Sequence, residues 1–224
     1  MSKRRIKFSK LGMGKFISHL DLLRAFTRAI TRAGLPVRYS NGFNPHQIIT
    51  FSLPLAVGVT SECEYTDIDF EPTVSDALIM EKLNMSLPPD LRVLSVGEPL
   101  ISANDICAAE YNIKLEKCML SEKILDEFYG QDEIAVVKKT KKGEKTVNLK
   151  DYIKGFEVVN ADDKGAELNV ILSAGGQANI KPALLTEKIL EFANADDEAV
   201  TLIHRKKIFY EDKKENKKEL LIFC

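Results

Sequence analysis

The sequence predicts an α+β fold built from two tandem ferredoxin-like (RRM-like) modules, each with the element order β-α-β-β-α-β. Two observations lead to this prediction. Segments in which charged and apolar residues alternate, as in half-buried strands, are interspersed with segments whose apolar residues recur at helical spacing. The same order of elements occurs in both halves of the 224-residue chain. We therefore expect an N-terminal module with a basic helix at residues 1–103 and a C-terminal module at residues 108–224.

Local sequence signals predict where the helices of the first half begin and end. Ser18 is a typical N-cap, and Gly34 and Pro36 end the helix that follows it. Ser75 caps a second helix, which Pro88 and Pro89 stop. The predicted elements are, in order, a strand at 5–11, a helix from Ser18 to Gly34, paired strands at 48–59 and 62–70, a helix at 75–87 and a strand at 91–100.

The second half repeats this order without visible sequence identity. Gly130 ends its first helix, and Pro182 occupies the first turn of its second helix. The predicted elements are a strand at 109–115, a helix at 121–130, strands at 133–140 and 145–152 joined by a turn at Lys142 and Gly143, strands at 156–160 and 166–174, a helix at 183–193 and a strand at 200–211. The charged run at 211–219 is predicted to be a solvated hairpin tip or tail.

Composition and cysteine usage exclude several classes of protein. Hydrophobic residues make up 45% of the chain and charged residues 29%, which excludes collagen-like and wholly disordered proteins. The most apolar run, at 53–59, is far too short to span a membrane, and no apolar stretch follows the basic N-terminus as in a secretory signal. The four cysteines form no CxxC pair, which predicts reduced structural thiols, no metal site in this chain and a cytoplasmic location without membrane association.

The net charge of −1 conceals a strong asymmetry. Residues 1–50 contain ten basic residues and one acidic residue, a net charge of +9, whereas residues 51–110 contain two basic and eleven acidic residues, a net charge of −9. This asymmetry indicates one surface that faces a polyanion and a separate acidic surface. The alternative is that the two segments neutralise each other in the folded protein.

The first helix carries a stripe of arginines. Arg24, Arg28 and Arg32 are spaced i, i+4, i+8, on the side opposite the apolar residues. Guanidinium groups bind phosphates bidentately, so this stripe, with Lys15 and Arg38, is predicted to contact successive phosphates. The alternative is an ordinary solvated helix face.

The turn-rich segment SNGFNPHQ (residues 40–47) follows this helix. A rigid polar loop with one exposed aromatic side chain can stack on an unpaired base and form hydrogen bonds with its edges. Asn41, Phe43, Asn44 and His46 are the predicted base contacts. Alternatively, the asparagines serve the turn alone and Phe43 fills the core.

Two further features are weaker candidates for chemistry. His19 and His46 are the candidate catalytic residues, because histidine exchanges protons near neutral pH, although a lone histidine is more often structural. Gly175 and Gly176, with Asn179 and Lys181, precede a helix and form a candidate phosphate loop. A tight turn explains the two glycines equally well.

The stretch from Lys7 to Tyr65 resembles the bacterial radical-SAM-associated (radical SAM-linked) family, a domain-of-unknown-function family. FISHLDLLR, RAGLPVRYS, GFNPH and PLAVGV stand in the order of that family, and AGGQANIKPALL resembles its second glycine-containing block. Members are found fused to, or encoded beside, a radical SAM enzyme. The resemblance therefore implies a radical SAM partner that carries an iron–sulfur cluster and S-adenosylmethionine, and an RNA or ribosome-related substrate. This chain lacks a CxxxCxxC motif and would itself hold no cofactor.

Three hypotheses about function follow. The first is an accessory partner of a radical SAM enzyme that binds RNA or a ribonucleoprotein through the basic helix and the GFNPH loop. The second is a metal-independent endoribonuclease, by analogy with CRISPR repeat-processing proteins of similar fold. The third is a protein-docking module, in which the acidic segment from Glu62 to Glu71 matters as much as the basic helix.

Overall fold

The computed structural model describes residues 2–71, 74–140, 143–176, 178–195, 198–211 and 220–223. The chain divides into two compact units, each of which combines α-helices with antiparallel strands. The first unit comprises Met1–Asp105 with Ile222–Cys224, and the second comprises Ile106–Leu221.

The first unit contains four strands: β1 (Ser2–Lys10), β2 (Ile49–Phe51), β3 (Thr60–Phe70) and β4 (Leu91–Gly97). They lie in the order β4-β1-β3-β2, and every neighbouring pair is antiparallel. Ile6 of β1 lies opposite Thr66 of β3 and Val96 of β4, which sets the register of the sheet.

Two helices, α1 (His19–Arg32) and α2 (Asp76–Ser86), pack on this sheet. Each begins after a serine whose hydroxyl oxygen accepts a backbone N–H: Ser18 from Asp21, and Ser75 from Leu78. After α1, Gly34 adopts φ = 59°, a left-handed conformation that glycine takes at little cost. The core between the sheet and the helices includes Ile6, Phe8, Leu22, Phe26, Ala29, Ile30, Ile68, Phe70, Ile79 and Leu83.

The second unit contains the strands β5 (Ile106–Glu116), β6 (Ala135–Thr140), β7 (Gly143–Asn148), β8 (Ile153–Asp162), β9 (Gly165–Ser173) and β10 (Val200–Glu211). Four of them form an antiparallel sheet in the order β10-β5-β9-β8, and β6 and β7 form a separate hairpin. The helices are α3 (Glu122–Gly130) and α4 (Pro182–Phe192), and the rings of Phe128 and Phe192 meet edge to face with centroids 5.6 Å apart. A short strand, β11, spans Leu220–Ile222.

The mixed α+β class predicted from the sequence is confirmed, with four α-helices in the described part of the chain and mainly antiparallel pairing. The strands predicted at 133–140 and 145–152 pair with each other as the predicted turn implies, but their hairpin β6-β7 is separate from the sheet β10-β5-β9-β8 and so adds to the order of the first half. The second strand ends at Asn148, and a 3-10 turn spans Leu149–Tyr152. Lys142 of the predicted turn and residues 212–219 of the predicted charged tip lie outside the described residues. None of the described helices has both the length and the apolar character needed to cross a membrane.

Candidate nucleic-acid interface

Helix α1 presents a basic face because its apolar residues share the opposite side. The buried positions follow the spacing of one helix face. They are Leu22, Phe26, Ala29 and Ile30. Arg24, Arg28 and Arg32 are all exposed, and successive arginines are about 6 Å apart along the helix axis.

Arg24 has a carboxylate partner in the first turn of the same helix. Its Nη1 donates to Asp21 Oδ1 at 2.8 Å, and both side chains are more than half exposed. The Ser18 hydroxyl donates to Asp21 Oδ2 at 2.7 Å. This hydrogen bond, and to a smaller extent the Arg24 guanidinium, lower the pKa of Asp21 below its ordinary value. Asp21 therefore stays ionised at neutral pH and offsets part of the charge of Arg24.

Arg32 also makes an intramolecular contact, to a backbone group. Its Nη2 donates to the carbonyl oxygen of Ser86, the last residue of α2, at 2.6 Å. The carbonyl groups at a helix C-terminus have no partner within the helix, and a cation there is favourable. Arg32 thus helps to end α2, while its exposed guanidinium retains other N–H donors.

Arg28 and Arg38 are the two arginines of this region whose side chains have no partner among the described residues. Both are exposed, and within the described residues neither side chain has a hydrogen bond or an ion pair. Lys15 lies in the 3-10 turn Gly12–Phe16 just before α1, where its Nζ is 5.2 Å from the centroid of the Phe16 ring.

The acidic segment neutralises part of the basic segment, but it does so on β1. Arg4 Nε donates to Asp76 Oδ1 at 2.6 Å, and its Nη1 lies 3.4 Å from Glu98 Oε1. Arg5 uses Nε and Nη2 to bind both carboxylate oxygens of Asp67, at 2.8 and 3.0 Å. Mutual neutralisation of the two segments therefore accounts for the arginines of β1 and does not extend to the basic face of α1.

A hairpin, residues 37–48, connects α1 to β2 and carries the predicted loop at its tip. The backbone N–H of Arg38 donates to the Asp69 carbonyl at 2.9 Å, which ties the hairpin to β3. Ile48 N–H donates to the Arg38 carbonyl at 3.2 Å, and Tyr39 and Gln47 are bridge partners. Residues 40–46 therefore project from a fixed base.

Ser40 and His46 close this tip loop by three hydrogen bonds. Ser40 N–H donates to the His46 carbonyl at 2.8 Å, His46 N–H donates to Ser40 Oγ at 3.1 Å, and Ser40 Oγ lies 2.9 Å from His46 Nδ1. Asn41 and Asn44 are exposed, and Phe43 is fully exposed. The interpretation in which Phe43 fills the core therefore does not hold.

The hairpin is joined to α1 by the buried side chain of Gln47. Its Nε2 donates to Thr31 Oγ1 at 3.2 Å and lies 3.5 Å from the hydroxyl of Tyr39. Thr31 follows Arg28 by three residues, so both lie on the same side of α1 and the base of the hairpin adjoins the arginine stripe. Sequence reasoning did not select Thr31, Tyr39 or Gln47. The alternation of a hairpin, which places Tyr39 opposite Gln47, is the signal that could have found the last two.

The two candidate catalytic histidines lie at opposite ends of α1. His19 is its first residue, and its ring packs edge to face on Phe51 at 5.3 Å. His46 is bonded to Ser40 beside Gln47, which contacts Thr31. His19 and Thr31 are separated by about 18 Å along the helix axis. The histidines therefore do not form an acid–base pair around one reacting group.

The candidate phosphate loop divides into two parts with different roles. Gly175 has φ = 105°, and a Cβ there would lie 2.1 Å from the carbonyl oxygen of Ile106, so close packing against β5 requires this glycine. Gly176 faces open space. Asn179 and Lys181 lie further along the loop and line a cavity of about 290 Å³ at the start of α4.

The cysteines offer no activated nucleophile among the described residues. Cys63 and Cys118 are buried and Cys107 is half-buried, whereas Cys224 lies outside the described residues. Burial raises the pKa of both Cys107 and Cys118, which disfavours the reactive thiolate. Within the described residues, no three His, Cys, Asp or Glu side chains come together as metal ligands.

Residues 3–182 match the model of the family described as uncharacterized protein conserved in bacteria (DUF2344). The chain belongs to this family. The match includes α1, the hairpin 37–48 and the glycine-containing loop before α4, so the candidate interface of this DUF2344 protein lies within the family domain. No curated protein matches the chain.

Two solved structures are similar in fold to this DUF2344 protein over most of its length. One is a Cbf5-Nop10-Gar1 complex, with a TM-score of 0.52 and 10% identity over 92% of this chain and 48% of that chain. Another is an H/ACA RNP bound to a substrate RNA containing 2'-deoxyuridine, with a TM-score of 0.50 and 10% identity over 90% of this chain and 46% of that chain. The DUF2344 chain therefore spans about half the length of the chains it matches, and at this identity the likeness concerns the fold alone.

Proposed function

We propose that this protein is an RNA-binding accessory factor, which holds a single-stranded RNA or a ribonucleoprotein substrate for a partner enzyme. The observation that carries the proposal is a single surface that combines cations without an intramolecular carboxylate and an exposed aromatic ring. The cations are Arg28 and Arg38, which pair with no carboxylate among the described residues, and the aromatic ring is that of Phe43. The contact between Gln47 and Thr31 joins the two elements that carry them.

The charges of this surface suit a phosphate backbone. Its cations are Lys15, Arg24, Arg28, Arg32 and Arg38. The nearest acid in sequence, Asp21, pairs with Arg24 in an exposed ion pair, which water and salt weaken. A guanidinium presents N–H donors in a fork that matches phosphate oxygens, so the contacts are expected at Arg28 and Arg38 first.

The tip loop supplies what a charged helix lacks, namely contact with bases. Base–aromatic stacking is tolerant of sequence, because every base has a π-face, and it requires an unpaired base. Phe43 is exposed on a loop held by three hydrogen bonds, so little order has to be gained on binding. Asn41 and Asn44 flank it with amide groups that match base edges.

The sheet of the second unit differs from the surface of α1 and the hairpin, because its charged side chains are paired with one another. Its polar side chains already bind one another across strands: Asn112 Nδ2 donates to Glu167 Oε1 at 2.8 Å, and Lys114 Nζ lies 3.4 Å from Glu167 Oε2. Lys207 pairs with Glu110 at 3.1 Å. A surface of paired opposite charges has little attraction for a polyanion, which favours the first unit as the RNA-binding one.

We further propose that each unit is a ferredoxin-like module. In the first unit, α1 follows β1, α2 follows β3, and the strand order β4-β1-β3-β2 supports this assignment. The second unit has the equivalent order β10-β5-β9-β8, with the hairpin β6-β7 inserted between α3 and β8.

The proposed partner is a radical SAM enzyme. Support comes from the resemblance of residues 7–65 to the radical-SAM-associated family. In this proposal the partner carries the iron–sulfur cluster and S-adenosylmethionine, and the present chain holds RNA in the cytoplasm without a cofactor of its own. The RNA context is in line with the H/ACA RNP bound to a substrate RNA, which is one of the structures of similar fold.

Salt dependence tests the electrostatic part of the proposal. If about five phosphates are neutralised, log K for a labelled single-stranded RNA of about 12 nucleotides falls against log salt with a slope near −3.5. Fluorescence anisotropy between low and high salt measures this slope. Absent or salt-independent RNA affinity would contradict the proposal. Retention of the partner enzyme after nuclease digestion, with no affinity for RNA, would instead favour a docking module.

Phe43→Ala tests the stacking part. Loss of one base–aromatic stack costs about 1–3 kcal/mol, so we expect the affinity for single-stranded RNA to fall by roughly 5-fold to 150-fold. The salt slope should stay the same, because no charge is removed. The matched control is Leu20→Ala, which removes another exposed apolar side chain of the first unit, from α1. Equal affinities of the wild-type and Phe43→Ala proteins would exclude Phe43 as a stacking residue.

A further inference from the structure

The second unit contains a cavity that the proposed RNA surface does not use. Its volume is about 290 Å³, at the lower end of the range of small-molecule sites. It lies between β6 of the inserted hairpin and the loop that leads into α4. The lining residues are Val137, Lys138, Asn179, Ile180, Lys181 and Leu184.

Two residues of the loop on one side of this cavity are held in place by the second unit. Gly175 packs so closely against β5 that no side chain fits between its Cα and the Ile106 carbonyl. Ile180 is buried, and its N–H donates to the Ser173 carbonyl at 3.1 Å. Asn179 and Lys181 flank this anchored residue, so their positions are set before any ligand binds.

The lining combines two cations with an apolar wall. Lys138 Nζ lies 5.0 Å from the centroid of the Tyr152 ring, which positions its ammonium group. In the described part of the chain, neither Lys138 nor Lys181 forms an ion pair with a carboxylate. Val137, Ile180 and Leu184 supply apolar surface beside them, and Asn179 adds an amide that both donates and accepts.

We propose that this cavity binds a phosphomonoester attached to a small planar or apolar group, as in a mononucleotide or a terminal nucleotide of RNA. A phosphomonoester carries a charge of about −1.5 to −2 at pH 7, which two lysines balance, whereas a carboxylate carries only one charge. Lysine is an established phosphate ligand that acts as a compact point charge. The apolar wall then packs against the body of the ligand, and the Asn179 amide selects for polar groups on it.

The test is to titrate the 224-residue chain with small-molecule probes and to measure binding by calorimetry and by NMR chemical shifts. The probes are adenosine and uridine monophosphates, phenyl phosphate, benzoate and adenosine. Saturable binding of the phosphomonoesters, at least tenfold tighter than binding of benzoate or adenosine, is expected. If none of the three phosphomonoesters binds saturably, or if adenosine binds as well as its monophosphate, the proposal is wrong.

Two lysine variants localise the site. Lys181→Gln and Lys138→Gln should each weaken binding of the phosphomonoester about tenfold, the loss expected for one charge-assisted contact. The matched control is Lys188→Gln on α4, the helix that follows Lys181, since Lys188 pairs with Glu191 at 2.6 Å and does not line the cavity. An equal loss of affinity in Lys188→Gln, or no loss in either cavity variant, would overturn the assignment.

The two sources of this ligand chemistry are separated by one further comparison. An RNA with a 5'-phosphate is compared with the same RNA bearing a 5'-hydroxyl, and tighter binding of the former that Lys181→Gln abolishes identifies an RNA end. Binding of free mononucleotides without this difference identifies a small-molecule site. The Lys181→Gln protein should retain the affinity of α1 and the hairpin 37–48 for unphosphorylated RNA, so failure of either proposal leaves the other open to its own test.

Discussion

Replacing Arg28 and Arg38 together by glutamate is expected to weaken the binding of single-stranded RNA about 100-fold at moderate salt. Each substitution removes a charge-assisted hydrogen bond to phosphate, worth about 1.5 kcal/mol or more, and about 3 kcal/mol corresponds to a factor of roughly 100. The salt slope should become shallower by about 1.4, because two fewer phosphates are neutralised. Both side chains are exposed, so the free energy of unfolding should hardly change. Anisotropy titrations and urea denaturation measure the two quantities.

Arg92→Glu is the matched control for this charge reversal. Arg92 is an exposed arginine of the same unit, on β4 between the buried Leu91 and Val93, so it projects away from the helix side of the sheet. The Arg92→Glu substitution changes the net charge by the same amount as Arg28→Glu or Arg38→Glu, but on β4 and not on the α1 surface. Equal weakening by Arg92→Glu and by a single Arg28→Glu substitution would mean that RNA is attracted by overall charge and not by the α1 surface.

Phe26→Ala is expected to lower the free energy of unfolding of the first unit by about 3–5 kcal/mol, as for other buried aromatic residues. Phe26 is fully buried beneath the arginine stripe. Its ring meets those of Phe8 and Phe51 edge to face, with centroids 4.9 and 5.6 Å away. The substitution leaves a cavity at the junction of α1, β1 and β2. Urea denaturation should show a lower midpoint for the transition of the first unit, with little change in the m-value, the slope of the unfolding free energy against urea concentration.

Leu20→Ala provides the comparison on the same helix. Leu20 is 62% exposed, so its truncation should change stability by less than about 0.5 kcal/mol. Similar losses of stability in Phe26→Ala and Leu20→Ala would contradict the burial of Phe26 in the core of the first unit. Because the arginines project from the side opposite Phe26, residual RNA affinity of Phe26→Ala should follow the fraction of folded protein.

The structure divides the basic segment into two groups that the sequence treats alike. The arginines of β1 bind carboxylates from the acidic segment, in particular the two-pronged contact of Arg5 with Asp67. On α1, Arg32 donates to a backbone carbonyl of α2, and Arg28 projects into solvent. Charge counts along the chain do not separate these groups, because the partners are many residues apart in sequence and meet only after the strands pair.

The helices were predictable because their signals are local. Ser18 and Ser75 precede the first helical residues of α1 and α2 and accept the N–H groups of Asp21 and Leu78, as the N-cap pattern predicts. The turn predicted at Lys142 and Gly143 already implies that β6 pairs with β7. The separation of this hairpin from the sheet β10-β5-β9-β8 was not predictable, since strand-like alternation does not specify which sheet a strand joins. The two glycines before α4 were equally ambiguous, and only the proximity of Ile106 explains Gly175.

The sequence by itself determined the α+β class, the places of the four helices and the side of α1 on which the arginines lie, because caps and apolar periodicity act within a few residues. Only the tertiary structure decided which cations remain exposed, that Phe43 projects into solvent, and that Lys138 and Lys181 line one cavity. These features depend on contacts such as Gln47 with Thr31 and Arg32 with Ser86. The residues in these two contacts are 16 and 54 positions apart, so they meet only when the chain folds and no local sequence pattern predicts the contacts.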